Sequence, residues 1–154
     1  MSNDVLPRRI VSGGQTGVDR AALDAAIELG IETGGWCPHG RLAEDGPVAA
    51  HYPLRETPSA DSAQRTRWNV RDSDGTLVLA CNAPAGGSAL TIEIASRSGK
   101  RYLIVDPRTC PVPSVKEWIR REGLAVLNVA GPRESEEPGI YANALRFLTA
   151  LLAD

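Results

Sequence analysis

An α/β fold, with a mostly parallel sheet and helices on both faces, is predicted by three observations along this 154-residue chain. A short apolar strand, Arg9 to Ser12, runs through Gly13-Gly14-Gln15-Thr16-Gly17 into an Ala-rich amphipathic helix from Val18 to Leu29. A second apolar run, Thr76 to Ala80, leads to Gly86-Gly87-Ser88 and another helix, and a third strand ends in Gly131-Pro132-Arg133. Strands alternating with helices imply βαβ crossovers. Ligands of such sheets bind at the carboxyl ends of the strands, so all three glycine turns are expected on one edge.

The elements follow in order. Gly30 closes the first helix, and Glu32 to Cys37 read as a second, short strand. A polar loop from Pro38 to Pro58 carries Gly40, Gly46, Pro47 and Pro53, and a loop of that length in a compact fold is functional or disordered. Ser59-Ala60-Asp61 offers an N-cap for a polar helix running to about Val70. After the turn Asp72–Gly75, the continuous apolar run Thr76–Ala80 is the form expected of a strand covered on both faces. A helix from Ala89 to Ser98 stops at Gly99, and Arg101 to Asp106 gives another strand. Pro111 and Pro113 precede a helix from Ser114 to Glu122, and Ala125 to Ala130 is the last strand. The final helix, Ile140 to Leu152, carries the apolar stripe Tyr141, Leu145, Leu148 and Leu152. That stripe can bury within the subunit or against a second copy in a homo-oligomer.

Residues 1–154 are expected to form a single domain, with Met1 to Pro7 as a flexible tail. A net charge of −2 argues against nucleic acid or a membrane surface as partner. No apolar run approaches the ~20 residues of a membrane span. Cys37, Cys81 and Cys110 are widely spaced, as reduced thiols in a cytoplasmic protein would be. Lys100 and Lys116 are the only lysines, and the remaining cations are arginines, whose planar fork suits phosphate or carboxylate.

The first turn reads as an anion cradle, because glycines let the backbone approach an anion and the first helical N–H groups lack intrahelical acceptors. Gln15 adds a side-chain amide, and Arg20, one turn into the helix, can reach a phosphate or lie on a solvated face. Thr16 and Asp19 also have the spacing of a capping box. There is no Walker lysine and no G-x-G-x-x-G, which argues against a nucleoside triphosphatase or a dinucleotide site. The second cradle offers the amides of Gly86 and Gly87 with the hydroxyls of Ser88 and Thr91, although Ser88 equally reads as a plain N-cap. Glu93 can face the crevice from the same helix or lie on its surface. Trp36 can stack on a heteroaromatic ring or belong to the core. Arg65, Arg67 and Arg71 precede the central strand, with Arg67 and Arg71 on one helix face. Cys37 and His39 lack third and fourth partners at metal-site spacing, so no protein-ligated metal is expected.

The segments SGGQTGVDR (12–20), GGWCPHGRLAEDG (34–46), NVRDSDGT (69–76), GGSALT (86–91) and NVAGPRES (128–135) resemble the putative molybdenum carrier family. The match runs over nearly the whole chain. That family resembles a circularly permuted branch of the Rossmann-like SLOG superfamily, related to the LOG nucleotide phosphoribohydrolases. The resemblance implies a carrier for a phosphate-bearing heterocycle, foremost molybdenum cofactor, a phosphorylated pterin dithiolene. Gly13, Gly14, Gln15, Thr16, Gly17, Gly86, Gly87, Ser88 and Thr91 would hold the phosphate, with Arg20, Arg65 and Arg133 adding charge-assisted bonds and Trp36 a stacking face. Molybdenum-enzyme apoproteins would be the recipients. The LOG comparison implies an alternative, a nucleoside 5′-monophosphate phosphoribohydrolase with Arg65 and Glu93 as catalytic residues. Arg65 stands nine residues before Asp74 as in that pattern, but Ala85 replaces its proline and Ala89-Leu90-Thr91 its Gly-Thr. A nucleotide-ligand sensor, as in other SLOG domains, is the third reading.

Overall fold

The computed structural model describes residues 7–153. The described chain runs β1 (Arg9–Val11), α1 (Val18–Glu28), β2 (Glu32–Gly34), β3 (Trp36–Cys37), β4 (Arg55–Glu56) and α2 (Ser62–Arg71), then β5 (Gly75–Leu79), α3 (Gly86–Arg97), β6 (Arg101–Val105), α4 (Val112–Glu122), β7 (Val126–Ala130) and α5 (Ile140–Leu152). The main sheet has the order β2-β1-β7-β5-β6, and every pairing in it is parallel. This is the Rossmann-like α/β architecture expected of the alternating pattern. Pro7, expected in a flexible tail, is buried, and the rest of that expectation falls on residues 1–6, outside the described residues.

The two faces of the sheet differ in chemistry. Ile10, Leu77, Leu79, Leu127 and Val129 join the alanines of α1 and the apolar stripes of α4 and α5 in the main core. The alternation of a strand sends Thr76, Val78 and Asn128 to the opposite face. There Asn128 Nδ2 donates to Thr76 Oγ1 at 3.2 Å, across a register pair. Within the chain, Leu148 and Leu152 of the α5 stripe are buried, Tyr141 and Leu145 are partly buried, and α5 packs along α1.

Three local readings need correction. The strand expected over Glu32–Cys37 is two strands, because Gly35 turns the chain at φ +125° and Trp36–Cys37 leaves the main sheet to pair with Arg55–Glu56. Asn69 holds the departing backbone, accepting from Trp36 N at 2.8 Å and donating to Trp36 O at 3.0 Å. Helix α3 begins at Gly86 rather than Ala89, with Ala85 as N-cap, so Ser88 lies inside the first turn and is not the cap. Thr16 and Asp19 do not form a capping box: Gly17 is the N-cap of α1 and no side chain caps it.

The Pro38–Pro58 segment is built around Arg41, whose guanidinium donates to the carbonyls of Val48, Ala49, Tyr52 and Leu54 at 2.8–3.2 Å. One side chain thereby satisfies four loop acceptors that no ladder serves. Val48, Tyr52 and Leu54 then pack on Leu23 and Cys37 as a second small core. Among the described residues, no helix is long and apolar enough to cross a membrane.

Candidate functional site

The carboxyl ends of β1, β7 and β5 open into a crevice of about 270 Å³. All three glycine turns reach it, through Gly13, Gly86-Gly87 and Gly131. Helix α2 closes one side with Ser62, Arg65, Thr66 and Asn69, and the polar strand residue Asn128 forms part of the floor. The crevice thus sits on the less apolar face of the sheet.

In the first turn the backbone amides are already engaged. Gly14 N donates to Ser12 Oγ at 3.4 Å, Gln15 N to the Asp19 carboxylate at 3.3 Å, and Thr16 N to Gln15 Oε1 at 3.0 Å. Asp19 is buried, and Arg65 Nη1 stands 3.5 Å from its Oδ2. The expected anion cradle over Gly13–Gly17 therefore encloses the chain's own carboxylate. Burial pushes the Asp19 carboxyl up to about 6, while Arg65 and the Gln15 N–H pull it down. Gln15 Oε1 also accepts from Glu44 N at 2.8 Å, which leaves its amide nitrogen to the crevice.

The second turn differs. The N–H groups of Gly86 and Gly87 have no acceptor among the described residues, as expected of the first positions of a helix. Both lie on the crevice wall with the buried Ser88 and Thr91. The Thr91 hydroxyl donates to Gly87 O at 2.9 Å, so its hydrogen is committed to the helix. A Cβ built on Gly87 meets nothing within 4 Å.

Two arginines supply positive charge. Arg65 Nη1 donates to Gly13 O at 2.9 Å, an anchor that holds the guanidinium over the turn. Arg133 stands half-exposed at the mouth, with its Nε 3.3 Å from Glu136 Oε1. The carboxylates of Asp19 and Glu136 balance these cations, so the crevice is polar without a large net field.

Five predicted ligand-binding residues lie away from the crevice wall. Gly14, at φ +79°, faces the small core, with Leu54 Cδ1 2.6 Å from where a Cβ would stand. Thr16 and Gly17 line a different cavity; the Thr16 hydroxyl donates to Glu44 and accepts from Glu134 N at 3.2 Å. Arg20 lines the same cavity as Thr16 and Gly17, donating to Gly14 O at 2.9 Å and pairing with Asp45 at 3.1 Å. Trp36 packs edge-on against Trp68 at 4.7 Å and donates to Asp72 at 2.8 Å.

Glu93, the acid expected of the hydrolase alternative, is exposed on α3 and paired with Arg97 at 2.9 Å. The Arg65–Glu93 constellation is therefore not assembled. Of the other two arginines in that cluster, Arg67 is exposed, while Arg71 stacks over Trp68 and pairs with Asp72 at 2.7 Å. Cys37 is buried in the small core, and His39 is exposed beside Glu56 at 3.9 Å.

Sequence reading missed Asp19, Asn128 and Glu136 as crevice residues. Asp19 was disguised by capping-box spacing, and Asn128 is legible only as a polar interruption in the apolar run of β7. Nothing local marks Glu136.

Residues 10–152 match the model of the circularly permutated YpsA SLOG family. The crystal structure of a putative molybdenum carrier protein from Syntrophus aciditrophicus superimposes with a TM-score of 0.90 and is 44% identical, over 95% of each chain. No curated protein matches at a significant level. The chain belongs to the circularly permutated YpsA SLOG family.

Proposed function

We propose that this member of the circularly permutated YpsA SLOG family binds and carries a phosphate-bearing heterocycle in the crevice, with molybdenum cofactor as cargo. The observation that carries the reading is that Gly86 N and Gly87 N, without an acceptor among the described residues, line the same crevice as the anchored guanidinium of Arg65. Helix N-terminal amides and an arginine fork are the donors a phosphate requires. Ser88 Oγ and the Gln15 amide add neutral donors, and Arg133 adds charge at the mouth.

At about 270 Å³ the crevice falls below the roughly 300–1,000 Å³ of sites that enclose a drug-sized ligand. It suits the phosphate end and an adjoining ring, with the remainder of the cargo reaching the surface for transfer. The molybdenum carrier designation of the structural neighbour favours a pterin dithiolene over a nucleotide. Recipient apoproteins, a homo-oligomeric state and a cytoplasmic location belong to the same reading.

Carriage without turnover agrees with the outward position of Glu93. Fluorescence titration of molybdenum cofactor into the wild type and Arg65→Gln tests the proposal. Loss of the charge-assisted bond should weaken binding about tenfold or more. Equal affinity in the two proteins, or release of free base from a nucleoside monophosphate, would overturn it.

A further inference from the structure

The break at Gly35 creates a further pocket, of about 110 Å³, between strand β1 of the main sheet and the β3–β4 ladder. Its walls are Arg9 and Val11 from β1, Gly35 and Trp36, Pro53 and Arg55, and Asn69 with Asp72. Two of these are arginines with no carboxylate partner and no side-chain hydrogen bond among the described residues. Arg9 lies flat over β2, where only a glycine leaves space: a Cβ on Gly34 would stand 3.0 Å from Arg9 Cζ. Arg9 Nε itself is buried against Gly34 without a hydrogen-bond partner among the described residues. Arg55 Cζ lies 5.3 Å from the centroid of the Trp36 ring, which holds the guanidinium beside the pocket. The one carboxylate on the wall, Asp72, is already neutralised by Arg71 at 2.7 and 3.0 Å and accepts from Trp36 Nε1 at 2.8 Å.

We infer that this pocket is a second anion site, separate from the crevice, that takes a tetrahedral oxyanion of the phosphate class between Arg9 and Arg55. The volume accommodates one such group and is too small to enclose a whole nucleotide. Two guanidinium forks with no partner among the described residues are matched by an acceptor with several oxygens and a double negative charge. The anion is either free or the phosphate end of a larger molecule whose remainder lies outside. The inference does not depend on the nature of the crevice ligand.

Titration with inorganic phosphate at constant ionic strength, followed by the NMR signals of the Trp36 indole N–H and the Arg9 and Arg55 Nε–H groups, tests it. These signals should move saturably in the wild type and equally in Arg65→Gln, whose crevice is impaired. In Arg55→Gln the apparent affinity should fall about tenfold. Arg55 is exposed, so this variant should fold even where Arg9→Gln does not. Adenosine monophosphate in place of phosphate separates the sources: tighter saturation identifies a phosphomonoester, equal or weaker saturation the free ion. Signals that stay still under both ligands, that respond alike in Arg55→Gln, or that fall silent in Arg65→Gln would overturn the inference.

Discussion

The glycine turn after β1 and the glycine turn after β5 occupy equivalent places at the edge of one sheet, yet one is filled and the other open. Around the first, a Cβ on Gly13 would stand 2.6 Å from Arg65 Cδ, one on Gly14 2.6 Å from Leu54 and one on Gly17 2.9 Å from Glu134 N. Its amides serve Ser12, Asp19 and Gln15. Around the second, a Cβ on Gly87 would meet nothing within 4 Å, and its N–H has no acceptor among the described residues. Glycine in the first turn answers a packing demand; in the second it keeps a helix N-terminus accessible. The same residue type thus marks a structural joint in one place and a binding surface in the other.

The contrast can be broken most severely at the joint that links the turns. A Cβ on Gly131 would overlap the carbonyl of Leu79 and stand 2.5 Å from Val18 Cγ2. Gly131→Ala should therefore cost about 4 kcal/mol or more, read as a collapse of the urea midpoint. A near-wild-type midpoint would show that the joint yields.

The filled cradle has a pH signature. The Asp19 carboxyl is raised to about 6 in the folded chain from 3.8, so the native state binds this proton more tightly than the unfolded state does. Stability should then fall as pH rises through the window from about 4 to 6, by up to about 3 kcal/mol. Asp19→Asn should flatten that slope in urea unfolding across the same range. An unchanged slope would mean that Asp19 is not the group responsible.

The smallest effect is expected outside the crevice. Glu93→Gln removes only an exposed i,i+4 pair with Arg97 and should shift stability by no more than about 0.5 kcal/mol. Ligand affinity by titration should not move. A tenfold change would return Glu93 to the site.

The strand–helix alternation is legible because buried strands and amphipathic helices write different periods into the chain, and β5 is buried at every position. Boundaries are less legible where glycine serves two purposes. Gly86-Gly87-Ser88 reads as a loop on propensity, yet the first positions of a helix need no intrahelical acceptor for their N–H groups, so α3 starts there. The break at Gly35 is hidden because the residues on either side suit strands equally well. Within the site, Arg65 is legible as part of a cluster, but only the tertiary fold shows that it alone turns inward while Arg67 and Arg71 do not. Asp19 illustrates the limit: its spacing from Thr16 suits a local cap, and its actual role depends on Arg65, far away in sequence.

Gly87→Asp separates the open cradle from the filled one in a single variant. An aspartate in the first turn of α3 suits the helix dipole and adds about 0.3–1 kcal/mol at most, so the unfolding midpoint should hold or rise. The same carboxylate occupies the anion position, so affinity for molybdenum cofactor should fall about tenfold or more. A stable Gly87→Asp protein that binds the cofactor as tightly as the wild type would contradict the assignment of the α3 N-terminus as the phosphate site.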